Sequence, residues 1–377
     1  MKKILILTQN LDTGGVQKSA ALLANSLSHS YECTLLLFED SKPINYSLCE
    51  TIKIETISMK KVDVSDEDSG IKIFNHRKKE LSLFVQKMKP DLIFSYEDYH
   101  NILSLSIDSD AKRIISCRIS LKNVYTKSSK VHLLTPEFYF ENITKLYKNA
   151  QAVVCVSEFI KKELLEISDG INALNIYNGI DKSRILELSN KNINLEFSYI
   201  LHVGRLHPQK GQKDLILAFH KIHTKIPQNL LIIGDGIIKN ELQEMIDSYN
   251  LSHRVFLMGN IPEPYCYMYK ADFCIMPSYQ EGFSNTILEM LSTSAVVASR
   301  YNGHDEILND YENLVDVGDI DRLSALMLKY STDKSTTQEL KELQKIDVEP
   351  FTTEKSMKNY KQLISHVLNL GVDICAE

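Results

Sequence analysis

The stretch that decides the fold is Ala271-Asp-Phe-Cys-Ile-Met-Pro-Ser-Tyr-Gln-Glu-Gly-Phe-Ser-Asn-Thr-Ile-Leu-Glu-Met-Leu291. An apolar run ends at Pro277 and Ser278, a turn carrying Glu281 and Gly282 follows, and Ile287 to Leu291 has helical spacing. This is strand, turn, helix. Ser284 and Asn285 stand where an N-cap belongs. A helix N-terminus offers unpaired N–H groups and the positive end of the dipole, so it suits anions. Side chains lean back toward that end, which lets Glu289 reach a ligand seated at the same mouth as Glu281. Amides for phosphate and two carboxylates for hydroxyls suit a nucleotide-sugar. The eight-residue Glu–Glu interval alone says little, because Glu158 and Glu166 repeat it without the Gly or the Ser-Asn.

Working outward, short β-rich runs alternate with amphipathic segments, the pattern of parallel α/β structure. The first half reads as strands at Lys3–Thr8, Cys33–Phe38, Leu92–Ser95, Arg113–Ser116 and Ala152–Ser157, with helices at Val16–Ser28, Phe74–Lys89 and Glu158–Glu166. Residues 184–197 are polar and Asn-rich and read as a linker. The pattern then restarts at Tyr199–Val203. The expected architecture is two doubly wound, Rossmann-like domains, residues 1–185 and 186–352. An amphipathic helix over about 353–377 has no strand to serve and is expected to cross back to the first domain.

A chain of 377 residues is long enough for two cores. Its 44% hydrophobic and 24% charged content is that of a globular protein. The net charge of −6 implies no nucleic-acid partner. Charge is uneven: residues 1–185 hold 25 Lys+Arg against 23 Asp+Glu, and residues 186–377 hold 18 against 26. The first half is thus the better suited to approach an anionic surface. The seven cysteines (33, 49, 117, 155, 266, 274 and 375) show no metal-ligand or redox spacing. Several sit in apolar runs, as thiols do in a reducing compartment. No segment reads as a signal or a membrane span. A cytoplasmic protein is expected, at most peripheral at the inner face of the cell membrane.

Gly14-Gly15 follows the first strand and allows a ligand to approach the backbone, although an ordinary βα turn fits equally. Gly204-Arg-Leu-His-Pro-Gln-Lys-Gly211 closes the first strand of the second half. Arg205 and Lys210 there could grip a diphosphate through charge-assisted bonds of roughly 1.5–3 kcal/mol each. Gly234-Asp-Gly236 lacks the third glycine of a dinucleotide fingerprint and reads as a structural turn. Asp66-Glu-Asp68, Asp108-Ser-Asp110 and Asp319-Ile-Asp321 match a metal-binding spacing but sit in polar loops, so no metal site is expected. The helix at Phe74–Lys89 pairs an apolar stripe with several cations. It would pack on a sheet or, alternatively, lie on a membrane.

Taken in order, Leu11-Asp-Thr-Gly-Gly-Val-Gln17, Asn178-Gly-Ile-Asp181, Gly204-Arg-Leu with Lys210-Gly211, Gly234-Asp-Gly236, Glu281–Glu289, Val296-Val-Ala-Ser299 and Asn302-Gly-His-Asp-Glu306 resemble retaining glycosyltransferase family 4, over nearly the whole chain. The resemblance implies the GT-B fold and transfer of a sugar from a nucleotide-sugar, UDP being the commonest choice, with retention and without a metal. The acceptor would be a glycan, a lipid-linked sugar or a protein, in surface polysaccharide or glycoconjugate synthesis.

By the same resemblance, Arg205 and Lys210 would hold the diphosphate, Glu281 a hydroxyl of the transferred sugar, and Glu289 the ribose. Amides of Gly14, Gly15, Gly282, Phe283, Ser284 and Asn285 would surround sugar and phosphates. Three departures stand out. Arg118 occupies the place of a family histidine and could stabilise phosphate charge but not act as a base. Thr293 and Ala295 stand for a usual Gly and Pro, and Gln17 for a common Glu. A catalytically weakened, glycan-binding relative and a sugar-nucleotide epimerase are the alternatives.

Overall fold

The computed structural model describes residues 1–12, 14–39, 41–57, 69–122 and 134–369. The acidic Asp66-Glu-Asp68 and Cys375 lie outside these residues. The chain forms two compact units, Met1–Asn178 with Glu354–Glu377, and Gly179–Thr353.

The first unit is built on a seven-stranded sheet in the order β3-β2-β1-β4-β5-β6-β7. Its strands are β1 (Lys3–Thr8), β2 (Glu32–Leu37), β3 (Lys53–Thr56), β4 (Leu92–Tyr96), β5 (Lys112–Cys117), β6 (Ala152–Cys155) and β7 (Ala173–Asn175), all parallel. β1, β4 and β6 are continuous apolar runs because helices cover both faces of a parallel sheet. Those helices are α1 (Gly15–Leu27), α2 (Ser69–Met88), α3 (Asp98–Leu105), α4 (Pro136–Leu146) and α5 (Glu158–Ile167). Local sequence starts several of them: Thr135 caps the Phe138 amide at 3.3 Å with Pro136 in the first turn, and Ser157 caps that of Ile160 at 3.2 Å.

In α2, Phe74, Leu81 and Val85 are buried. Arg77 is buried with them: it donates to the Phe38 carbonyl at 2.8 Å and lies against the Phe38 and Tyr99 rings. The apolar stripe of this helix therefore serves the core, and one of its cations is internal. Ile71 and Leu83 remain exposed on the outer side.

The second unit holds six parallel strands in the order β10-β9-β8-β11-β12-β13. They are β8 (Tyr199–Val203), β9 (Asn229–Ile233), β10 (Val255–Gly259), β11 (Phe273–Met276), β12 (Val296–Ser299) and β13 (Leu314–Val315). Its helices are α6 (Lys182–Ser189), α7 (Gln212–Ile222), α8 (Lys239–Ser248), α9 (Tyr265–Lys270), α10 (Asn285–Leu291), α11 (Ile320–Thr332) and α12 (Lys334–Asp347). α6 corrects the reading of 184–197 as linker. Asp181 caps the Arg184 amide at 2.9 Å, but α6 buries only Ile185 and Ser189, too few for a helical period to show. The last helix, α13 (Thr353–Val367), places Tyr360, Leu363, Ile364 and Val367 in the core of the first unit.

Both sheets reverse strand order once, at β1/β4 and at β8/β11. Open α/β sheets bind ligands beyond the carboxyl ends of strands at such a switch. The loop after β8 is zipped to the loop after β9: the Leu206 amide donates to the Asp235 carbonyl at 2.9 Å. A Cβ on Gly234 (φ 147°) would stand 2.0 Å from the Gly204 carbonyl oxygen. That approach, not phosphate binding, accounts for this glycine. Gly234→Ala is expected to lower unfolding free energy in urea by at least about 2 kcal/mol. Gly170→Ala, also at positive φ but with nothing within 4 Å of the new Cβ, should lose clearly less. Equal losses would place the cost in the backbone angle alone.

Candidate functional site

In the second unit the switch brings two loops side by side. The β8 loop supplies Arg205 and Lys210; the β11 turn supplies Ser278 and Glu281. The Lys210 ammonium lies 2.6 and 2.8 Å from the two Glu281 oxygens, and both side chains are mostly buried. Ser278 Oγ donates to the same carboxylate at 2.7 Å, and Ser299 Oγ donates to the Ser278 carbonyl. The reading from sequence gave Lys210 to a phosphate and Glu281 to a sugar; the structure joins them to each other. Arg205 is exposed and makes no ion pair among the described residues. Its charge and that of Lys210 reach His207, whose pKa is lowered first by desolvation and then by these two cations.

The backbone under Arg205 is held by a buried relay. His202 Nδ1 donates to the Ile275 carbonyl at 2.9 Å, which fixes the tautomer and leaves Nε2 to accept from Gln212 Nε2 at 3.1 Å. The same Gln212 amide donates to the Arg205 carbonyl at 2.9 Å. His202 and Gln212 are fully buried, and desolvation pushes the imidazole down to about 4. Gly211 (φ 68°) passes so close to the Pro277 carbonyl that a Cβ would meet it at 2.1 Å. Sequence reading missed His202 and Gln212, because His202 sits inside an apolar strand and Gln212 opens an ordinary amphipathic helix.

Ser284 caps α10 through the Ile287 amide at 3.4 Å. Asn285 Oδ1 is buried with no hydrogen-bond partner among the described residues. Glu289, one turn on, accepts from the Tyr265 hydroxyl at 3.3 Å. The Phe283 ring packs on Phe351 with centroids 5.5 Å apart. At the departures from the family pattern, Thr293 Oγ1 is satisfied by the Met290 carbonyl at 3.1 Å, and Ala295 lies in the core.

In the first unit, the Gly14 amide is taken by the Tyr46 hydroxyl at 3.0 Å, and Gln17 folds back over Gly14. Gly15 opens α1. Arg118, just past β5, is 8% exposed. Its guanidinium lies over the Tyr96 ring at 5.5 Å and donates through Nη2 to Asn178 Oδ1 at 2.6 Å. Beside it is a residue the sequence reading passed over, Glu97, at the carboxyl end of β4. Its backbone has φ 68° and ψ 144°, a region costly for any residue with a side chain, of order 1–3 kcal/mol. Burial raises its carboxyl to about 7 against the pull of Arg118, and Asp98 adds to the rise. The available signal was position alone, a carboxylate directly after a strand at the switch.

The Asp-x-Asp spacing at 319–321 is structural: Asp319 caps the Arg322 amide at 2.9 Å and Asp321 pairs with Lys221. Among the described residues, no three His, Cys, Asp or Glu side chains gather as a metal cluster.

Breaking a buried ion pair leaves its partner uncompensated, at about 3–5 kcal/mol. Lys210→Ala should therefore lower stability by several kcal/mol in urea unfolding, and Lys210→Ala/Glu281→Ala should recover much of it. An additive double variant would refute the pairing. His202 gives a pH prediction. A histidine held neutral binds fewer protons folded than unfolded, so its contribution is whole above pH 6.5 and is lost as pH falls through about 4. The loss is on the order of 3 kcal/mol. His202→Gln should flatten that slope, as read from urea midpoints against pH.

With this geometry in view, comparison with known proteins is informative. Residues 184–346 match the family model of glycosyl transferases group 1. The chain is 28% identical over 321 residues, 83% of its length and 85% of the relative's, to the Campylobacter jejuni N-acetylgalactosamine-N,N'-diacetylbacillosaminyl-diphospho-undecaprenol 4-alpha-N-acetylgalactosaminyltransferase. Its fold is similar to sucrose-phosphate synthase from Thermosynechococcus elongatus, with TM-score 0.80, 17% identity and coverage of 98% and 100%. It is also similar to Anabaena HepE in complex with UDP, with TM-score 0.77, 18% identity and coverage of 97% and 100%. Two parallel, doubly wound units and the likeness to these solved structures give the chain the GT-B fold, its second unit matches a glycosyltransferase family model, and the chain as a whole is similar to a named sugar transferase.

Proposed function

We propose that the protein transfers a hexosyl unit from a UDP-sugar, with retention of anomeric configuration, to a lipid-linked glycan in bacterial glycoconjugate synthesis. The observation that carries this is the exposed, unpaired Arg205 beside the Lys210–Glu281 pair at the β8/β11 switch. The Campylobacter relative's diphospho-undecaprenol substrate supports a lipid-linked acceptor, and the UDP complex of the Anabaena protein supports the nucleotide.

In this reading the β-phosphate enters between Arg205 and Lys210. Lys210 shares its protons with the phosphate, and a Glu281 oxygen becomes available to a sugar hydroxyl. The bond from the anomeric carbon to the phosphate oxygen breaks as the acceptor oxygen bonds to the same face of that carbon. The acceptor proton passes to the departing phosphate, whose charge the two cations stabilise. They supply the neutralisation that a divalent ion provides elsewhere, so no metal is required. Glu289, already turned to the Tyr265 hydroxyl, binds the ribose.

A polyprenol acceptor puts the reaction at the inner face of the membrane. No helix among the described residues is long and apolar enough to cross one, and the contact proposed is peripheral. The outward side of α2, with Ile71, Leu83, Lys79 and Lys87 exposed, is the proposed contact.

Nucleotide release from a panel of UDP-, GDP- and ADP-sugars, with EDTA present, tests the reading. The expected result is release from a UDP-sugar that accelerates on adding a cell-envelope lipid extract. Arg205→Ala should lower kcat/KM by about 10²-fold or more without changing thermal stability, because the side chain is unpaired. Release that requires a divalent ion, or that ignores Arg205, would overturn the donor site.

A further inference from the structure

We propose that Gln212, its amide held in direction by His202, positions Arg205 for the donor diphosphate and so sets donor affinity without touching the donor. The proposal rests on the transferase reading above, in which Arg205 grips the diphosphate.

The peptide between Arg205 and Leu206 is fixed from both sides. Its N–H, that of Leu206, donates to the Asp235 carbonyl at 2.9 Å, and its C=O, that of Arg205, accepts from Gln212 Nε2 at 2.9 Å. One residue earlier, the Gly204 amide donates to the Ile233 carbonyl at 2.9 Å. The Cα–Cβ bond of Arg205 therefore leaves a backbone held against rotation, while its side chain is exposed. The bonds to Asp235 and Ile233 are backbone to backbone. The bond from Gln212 is the one that a side chain supplies.

That side chain is costly to place. Its helix, α7, also buries Leu215, Ile216, Ala218, Phe219 and Ile222, and His202 sits between Leu201 and Val203 in β8. Both polar side chains are fully buried in this apolar layer, where an unbonded polar group is destabilising. Their bonds end on two backbone carbonyls. β8 and β11 pair at Ile200–Phe273 and Leu201–Cys274; one residue further on, His202 Nδ1 donates to the Ile275 carbonyl. The relay thus starts at the switch and ends under Arg205.

Its direction is also determined. Burial keeps the imidazole neutral and the Lys210 charge adds to this, so Nε2 stays an acceptor. Gln212 must then present its NH2 group, whose two N–H bonds serve His202 at 3.1 Å and the Arg205 carbonyl at 2.9 Å. Turned over, the amide would set its oxygen against two acceptors. An arginine rooted this way has less freedom to lose when it binds an anion.

The test is titration calorimetry of the full chain with UDP and with uridine. Gln212→Met keeps the length of the side chain and removes both donors. It should weaken UDP about tenfold, as the loss of one or two buried hydrogen bonds does. The donor KM should rise with a smaller change in kcat. Uridine, which brings no phosphate, should bind unchanged. Because Gln212 acts through Arg205, Arg205→Ala/Gln212→Met should bind UDP no more weakly than Arg205→Ala alone. His202→Leu should weaken UDP in the same direction, and His202→Gln, whose Oε1 can replace the Nε2 acceptor, should recover most of that loss. Binding stoichiometry reports the folded fraction, so a poorly folding variant is not mistaken for a weakly binding one. Equal losses for UDP and uridine, additive losses in the double variant, or unchanged UDP affinity in Gln212→Met would overturn the positioning role. An Arg205→Ala variant that binds UDP as wild type does would instead sink the donor site on which it rests.

Discussion

A lysine and a glutamate that would each be costly to bury alone are buried against one another where β8 and β11 end. The rest of the second unit is organised so that this pair can exist. The strand order sets β8 beside β11, which brings a loop from residue 210 to a turn at residue 281. Gly211 lets the loop pass the Pro277 carbonyl, Gly234 and Gly236 let a third loop support it from below, and the His202–Gln212 relay ties down the Arg205 carbonyl. An ion pair held this way is pre-organised. Its charges cannot relax into solvent, so an incoming anion meets a lysine already oriented and must compete with a carboxylate for it.

The two units present different electrostatics. In the second, an exposed, unpaired arginine lies next to the pair and favours a ligand with more than one negative charge. In the first, the arginine is buried over a tyrosine ring and held by the Asn178 side chain.

Much of this was legible in the chain. Strands buried on both faces are continuous apolar runs, so β1, β4, β6, β8, β11 and β12 could be read directly. The cap at Ser284 falls where the sequence places it, whereas Ser157, read as the end of a strand, caps the following helix. Short or weakly amphipathic elements were not legible: β3 is exposed along its length, and α6 buries two residues. At the site, Arg205, Lys210, Glu281 and Glu289 were named from sequence, but the bond between Lys210 and Glu281 was not, because 71 residues separate them and only the sheet order makes them neighbours. Glu97 was invisible for another reason. Its distinguishing feature is a backbone angle, and nothing in the residue type announces it.

The most direct test of the central claim is a crystal structure of the protein with UDP bound. The account predicts the diphosphate beyond the carboxyl ends of β8 and β11, within hydrogen-bond distance of Arg205 and Lys210, with one Glu281 oxygen released from the lysine. UDP seated elsewhere, with Lys210 still held by both oxygens of Glu281, would contradict it.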